Sequence, residues 1–250
     1  VNQMPTKLKN PIVITDIVRD PYYDEDYLFD KDTLTLTDKV TVFVGPNGYG
    51  KTTLTKAIKK DLKRQGAFDF ANNTHGRNLE RGFRNALASE STDSEETATV
   101  GFMSYDSHAD DHSSAVSSAL TNQNLTLFAL RQESSEGQNN LYSMAELFNN
   151  AGAVAKEYQN LKQLVLFVDG IDSGLSVDMI DLIVRTLDIK IKQVESLNPN
   201  IEVAMVFTTN NYEMTRNLPT FDPTTFEPVA YDSYEDFRAD MLAKSTLEKN

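Results

Sequence analysis

Lys39-Val-Thr-Val-Phe-Val44 runs directly into Gly45-Pro-Asn-Gly-Tyr-Gly-Lys-Thr52. After Lys39 the first run is β-branched or aromatic at every position, the composition of a buried strand. The next eight residues fit G-x-x-x-x-G-K-[ST], and Lys51 to Gln65 has helical composition closed by Gly66. Strand, glycine loop and helix in that order form a phosphate cradle. The glycines let backbone amides turn toward phosphate oxygens, and the helix N-terminus adds partial positive charge. Asn47, Gly48, Gly50, Lys51, Thr52 and Thr53 are the candidate nucleotide-binding residues. Lys51 neutralises the β and γ phosphates, and Thr52 offers a hydroxyl to magnesium.

Working outward toward the N-terminus, Ile12 to Asp16 and Leu34 to Leu36 read as short strands forming an antiparallel edge, joined by an acidic, tyrosine-rich connection. Toward the C-terminus, a helix is predicted over Asn78 to Ala88, an acidic loop over Ser89 to Thr97, a strand over Val100 to Ser104 and a helix over Ser113 to Leu130. Leu141 to Gln159 reads as an alanine-rich helix. Leu164-Val-Leu-Phe-Val168 is a continuous apolar run of the kind buried on both faces of a parallel sheet. Ser176 is placed to cap a helix whose apolar positions, from Val177 to Val194, advance by three and four residues. Val203 to Thr208 is a further buried strand and Pro228 to Ala230 a short last one. Ser233 opens a final helix with Asp236 as its capping-box partner.

The chain of 250 residues carries 24 basic and 37 acidic side chains, a net charge of -13, and no cysteine. That balance opposes sequence-blind contact with nucleic-acid phosphates or anionic lipid over most of the surface. No apolar run approaches the roughly 20 residues of a membrane helix, so no membrane insertion is expected. Nothing near Val1 resembles a signal peptide, and the expected compartment is the cytoplasm.

Asp169 ends the apolar strand and is the candidate magnesium ligand opposite Thr52; a turn-forming aspartate also fits that place. His75, His108 and His112 lack metal-ligand spacing and read as solvent-facing. Asp106, Asp110 and Asp111 read as part of a solvated acidic loop.

Ser134-Ser-Glu-Gly-Gln138 and Asp169-Gly-Ile-Asp-Ser-Gly-Leu-Ser176 separate the subclasses of such proteins. Together with Gly45 to Thr53, they make the chain resemble the ABC-type ATPases, closest to the soluble SMC, RecF and overcoming-lysogenization-defect branch. The resemblance covers Ile12 to about Asn211 and weakens between Gly66 and Leu130. It implies an α/β P-loop NTPase fold, an ABC-type head with a central, mostly parallel sheet, the N-terminal antiparallel edge and a small helical subdomain. The whole chain, 1–250, is then a single domain with a helical or loop subdomain at about 67–160.

The resemblance further implies ATP and Mg2+ as cofactors and a homodimer that sandwiches two ATPs. Ser135 and Gly137 would touch the partner's γ-phosphate, with Gln138 nearby. ATP-dependent dimerisation would act as a switch on a protein partner or a DNA-associated complex, in DNA maintenance or phage defence.

Two positions depart from the family. Gly170 stands where a catalytic glutamate usually follows the magnesium aspartate, and Asn210 where a histidine usually follows the next strand. Glycine cannot accept a proton from water, and asparagine cannot change charge near neutral pH. Asp172 is the nearest replacement base, though the polar turn after a strand explains it somewhat better. No glutamine follows Val100 to Ser104; Tyr105, Asp106 and Ser107 occupy the region of the family's Q-loop. Tyr22, Tyr23 and Tyr27 are candidates to stack on adenine, or ordinary packing tyrosines.

The expected activity is therefore a slow ATPase. The alternatives are a nonhydrolysing, nucleotide-gated interaction module, a transporter ATP-binding subunit, and a small P-loop kinase using Arg77, Arg81 and Arg84.

Overall fold

The computed structural model describes residues 7–17, 29–70, 99–106, 136–170 and 175–247. Among the described residues, six strands form the central sheet: β3 (Val40–Val44), β4 (Phe68–Asp69), β5 (Val100–Asp106), β6 (Gln163–Asp169), β7 (Glu202–Thr209) and β8 (Thr220–Phe221). Their order is β4-β5-β6-β7-β3-β8, and every pairing is parallel. β1 (Lys7–Ile14) and β2 (Leu34–Asp38) pair antiparallel as a separate two-stranded sheet. The expected antiparallel edge is thus a sheet of its own.

The apolar runs are continuous because both faces of the sheet are covered. Leu164, Leu166 and Val168 of β6, with Val203, Met205 and Phe207 of β7, face the layer of α2 (Glu136–Glu157) and α3 (Val177–Glu195). The alternate residues Val165, Phe167, Ala204 and Val206 face α1 (Lys51–Arg64) and the β1–β2 pair. One strand therefore feeds two cores by its period of two. In α3, Ile180, Ile183, Leu187, Ile191 and Val194 make the buried stripe that the spacing predicts.

Two carboxylates tie the small sheet down, one from the large sheet and one from α1. Glu202, at the start of β7, accepts from the amides of Lys9 and Asn10 at 2.6 and 3.1 Å, beside an irregularity in β1. Asp61, near the end of α1, accepts from the amide of Thr15 at 2.9 Å. Both acids are buried, and each satisfies backbone donors that a regular ladder would otherwise have used.

Several elements differ from expectation at their ends. α2 begins at Glu136 rather than Leu141, so the Ser134–Gln138 stretch runs into a helix. Ser176 holds the N-cap position of α3, yet its side chain caps no backbone amide; its hydroxyl instead bonds Asp178. After a short α4 (Tyr212–Thr215), the sequence reading missed β8, and Pro228 forms only an isolated bridge to Phe221. The final helix, α5 (Tyr234–Leu247), starts as read: Ser233 Oγ accepts from the Asp236 amide at 3.1 Å and donates to its carboxylate at 2.7 Å. The helices expected over Asn78 to Ala88 and Ser113 to Leu130, and the loop over Ser89 to Thr97, lie outside the described residues. Within 67–160, β4 and β5 belong to the central sheet and α2 packs on it.

Candidate functional site

Three strand ends converge on the glycine loop. Val44 of β3 pairs in register with Thr209 of β7, and Thr208 pairs with Asp169 of β6. The Gly45 amide donates to the Thr209 carbonyl at 3.2 Å, anchoring the loop where β3 ends. The site thus sits at the carboxyl ends of parallel strands, the crevice where open α/β sheets bind ligands.

Gly48 and Gly50 have φ of 85° and 82°, left-handed conformations that cost a β-carbon dearly and glycine little. Gly50 is also the N-cap of α1, so no side chain caps the helix and its first turn holds no acid. The leading amides are left to meet an anion. Lys51 reaches back over the loop, donating to the carbonyls of Gly45 and Pro46 at 2.7 Å each. Lys56, Lys59, Lys60, Lys63 and Arg64 continue the basic charge along α1, a local exception in an acidic chain.

Asp169 is buried, and both of its oxygens are engaged: Thr52 donates to Oδ2 at 2.7 Å and Thr208 donates to Oδ1. A hydroxyl from the loop and a carboxylate from the strand therefore meet at one point. Among the described residues no group of three or more His, Asp or Glu side chains could hold a metal by itself. Thr52 and Asp169 suit magnesium bound together with phosphates, because that ion takes few protein ligands and fills its shell with phosphate oxygens and water. Across the mouth, Asn210 Nδ2 donates to Asn47 Oδ1 at 3.0 Å. Asn211 then caps α4 by accepting from the Glu213 amide at 2.9 Å.

The structure gathers Asn47, Gly48, Gly50, Lys51, Thr52, Asp169 and Asn210, with Thr53 next to them on α1. Gly137 and Gln138 lie in the first turn of α2, a separate element, with Gln138 exposed. Ser135 and Asp172 lie outside the described residues, as do Tyr22, Tyr23, Tyr27, the three histidines, Arg77, Arg81, Arg84, Ser107, Asp110 and Asp111. Tyr105 is buried and donates from its hydroxyl to Asn140 Oδ1 of α2 at 2.9 Å, so it joins sheet to helix.

A family model described as ABC transporter matches residues 32–161, just over half of the chain. The chain belongs to the ABC transporter family. Its loop, strand and helix are those of an ABC-type ATP-binding domain, and no helix among the described residues is long and apolar enough to cross a membrane. No curated protein matches the chain.

Sequence reading missed two parts of this ABC site. Thr208 acts through the register of β7 against β6, for which one sequence holds no signal. Tyr49 lies over Gly45, where an added β-carbon would come within 2.7 Å of the ring and force it aside. A tyrosine inside the glycine motif was the available clue.

Proposed function

We propose that the chain is a soluble ABC head of the SMC, RecF and overcoming-lysogenization-defect kind, one domain with a helical portion within 67–160, that binds Mg-ATP and pairs with a second copy when loaded. The observation that carries the nucleotide site is the Thr52–Asp169 hydrogen bond, which joins loop and strand at a point suited to a metal between phosphates. Lys51 supplies charge and the uncapped start of α1 supplies amides. Magnesium, when bound with ATP, neutralises phosphate charge. In the paired state Ser135, Gly137 and Gln138 of one copy face the triphosphate held by the other.

Turnover is slow in this reading. Gly170 has φ of 70°, so a glutamate there would have to adopt the left-handed region at a cost of about 1–2 kcal/mol. The backbone itself suits glycine. Loss of a general base typically removes 10²- to 10⁴-fold of rate, which leaves positioning and Asp172 to supply what hydrolysis there is. The same backbone favours a second reading, a nucleotide-gated interaction module that does not hydrolyse ATP.

Titration calorimetry with Mg-ATP tests the site. Wild-type protein is expected to bind, and Lys51→Ala to lose at least about tenfold in affinity, since hydrogen bonds to charged groups are each worth roughly 1.5–3 kcal/mol. Equal affinity in the two proteins would remove the site from consideration. ATP turnover by the wild type then separates the two readings.

A further inference from the structure

The phosphate-binding loop is gripped from outside the family match by the C-terminal segment. Tyr49, half-buried in the loop, has its hydroxyl 3.4 Å from Thr224 Oγ1, and its ring lies 5.5 Å from the Lys244 ammonium of α5. Lys244 is 8 % exposed and bonds two carboxylates, Asp222 at 2.8 Å and Asp240 at 2.7 Å. Asp222, also buried, accepts through its other oxygen from the Thr224 amide at 2.8 Å and hydroxyl at 2.7 Å. Tyr231 donates to Asp240 at 2.6 Å.

Burial opposes the charge on Lys244, but the two carboxylates outweigh it and its pKa is raised. Asp222 is likewise pushed up by burial, and Lys244 and Thr224 more than reverse that. Lys244 and Asp222 therefore keep their charges near neutral pH. It meets the loop at the one residue whose ring covers Gly45, the first glycine of the phosphate cradle.

Resting on the nucleotide reading above, we infer that Lys244 is a positioning residue for the phosphate-binding loop. Through Tyr49 it couples the docking of α5 to ATP binding. A cation against a ring face is attracted by the ring's quadrupole, and more strongly when both are withdrawn from water. Coupling between two sites is reciprocal: if docked α5 raises ATP affinity, ATP tightens the docking of α5 by the same factor. The C-terminal helix is then the element whose stability a bound nucleotide changes and a partner can read.

The test pairs calorimetry with hydrogen exchange on the full chain, using Mg-ATP as the probe. Lys244→Met, which keeps the aliphatic stem, is expected to weaken ATP binding about tenfold, the order of a desolvated cation–ring contact. Lys244→Arg should restore most of that loss. Tyr49→Leu leaves the buried charges untouched and keeps an apolar cover over Gly45. It should weaken binding similarly, and adding Lys244→Met to it should cost little more. In the wild type, Mg-ATP should slow amide exchange across residues 234–247, and Tyr49→Leu should abolish that slowing.

Should Lys244→Met fail to fold, Tyr49→Leu and the exchange experiment decide alone. ATP binding with unchanged affinity in the variants, or with no change of exchange in α5, overturns the coupling while leaving the nucleotide site in place. A wild type that binds no ATP overturns the site itself, and the coupling with it.

Discussion

Thr208 fixes one oxygen of Asp169 while Thr52 holds the other, so the carboxylate is aimed by two hydroxyls from two different elements. If Thr52 gave up this bond to hold a metal with the nucleotide, as proposed above, Thr208 would be the donor that keeps Asp169 oriented. Thr208→Val removes that donor at nearly constant volume in a fully buried position. A hydrogen bond to a charged group is worth roughly 1.5–3 kcal/mol. Magnesium titrations of ATP binding should therefore need about ten to a hundred times more metal in the variant, and a superimposable titration would deny Thr208 this role. Thr52 and Asp169 were legible because their motifs are local: a glycine pattern, and an acid ending an apolar run. Thr208 and Lys244 were not. Their roles come from strand register and from a helix docked far along the chain, which tertiary packing alone sets.

At the scale of elements, the same distinction explains the fold. β3, β6 and β7 were readable because burial on both faces demands unbroken apolar runs. β8 has two residues and no run to read; it exists because Val42 pairs with Thr220 on the sheet already formed. The join between α1 and β1 was hidden for a similar reason, since Asp61 looks like an ordinary helix-surface acid until Thr15 is brought to it. Burial pushes the pKa of Asp61 up, but the Thr15 amide, Gln65 and Arg64 more than reverse this, leaving it below its ordinary 3.8. A carboxyl lowered on folding adds stability above its unfolded pKa and loses it as pH falls through the folded value. Asp61→Asn should therefore lower stability at pH 7 by about 1–3 kcal/mol. In thermal melts the gap to wild type should narrow steadily below about pH 4. A gap independent of pH would show that the charge contributes nothing.

For the whole molecule, charge sets the terms of self-association. Each copy carries a net -13, so two copies repel at low ionic strength, and the Debye length falls from about 30 Å at 0.01 M salt to about 8 Å at 0.15 M. Light scattering with Mg-ATP at tens of micromolar protein, roughly where weak specific interfaces appear, should show a dimer that ADP does not support and that physiological salt favours over low salt. Ser135→Arg should block the dimer and spare ATP binding by the monomer. A loaded protein that stays monomeric at every salt concentration would exclude the sandwich.

The sheet is bounded on either side by strands of two residues, β4 and β8, and β8 is bridged in turn by Pro228, which has no amide hydrogen to offer. A long flat margin is a template on which another chain can add a strand, and short or proline-blocked margins deny it that template. Among the described residues, each outermost strand of this sheet presents only two residues of its own to a further strand. At β4 and β8 a strand from another copy would therefore find little backbone to pair with.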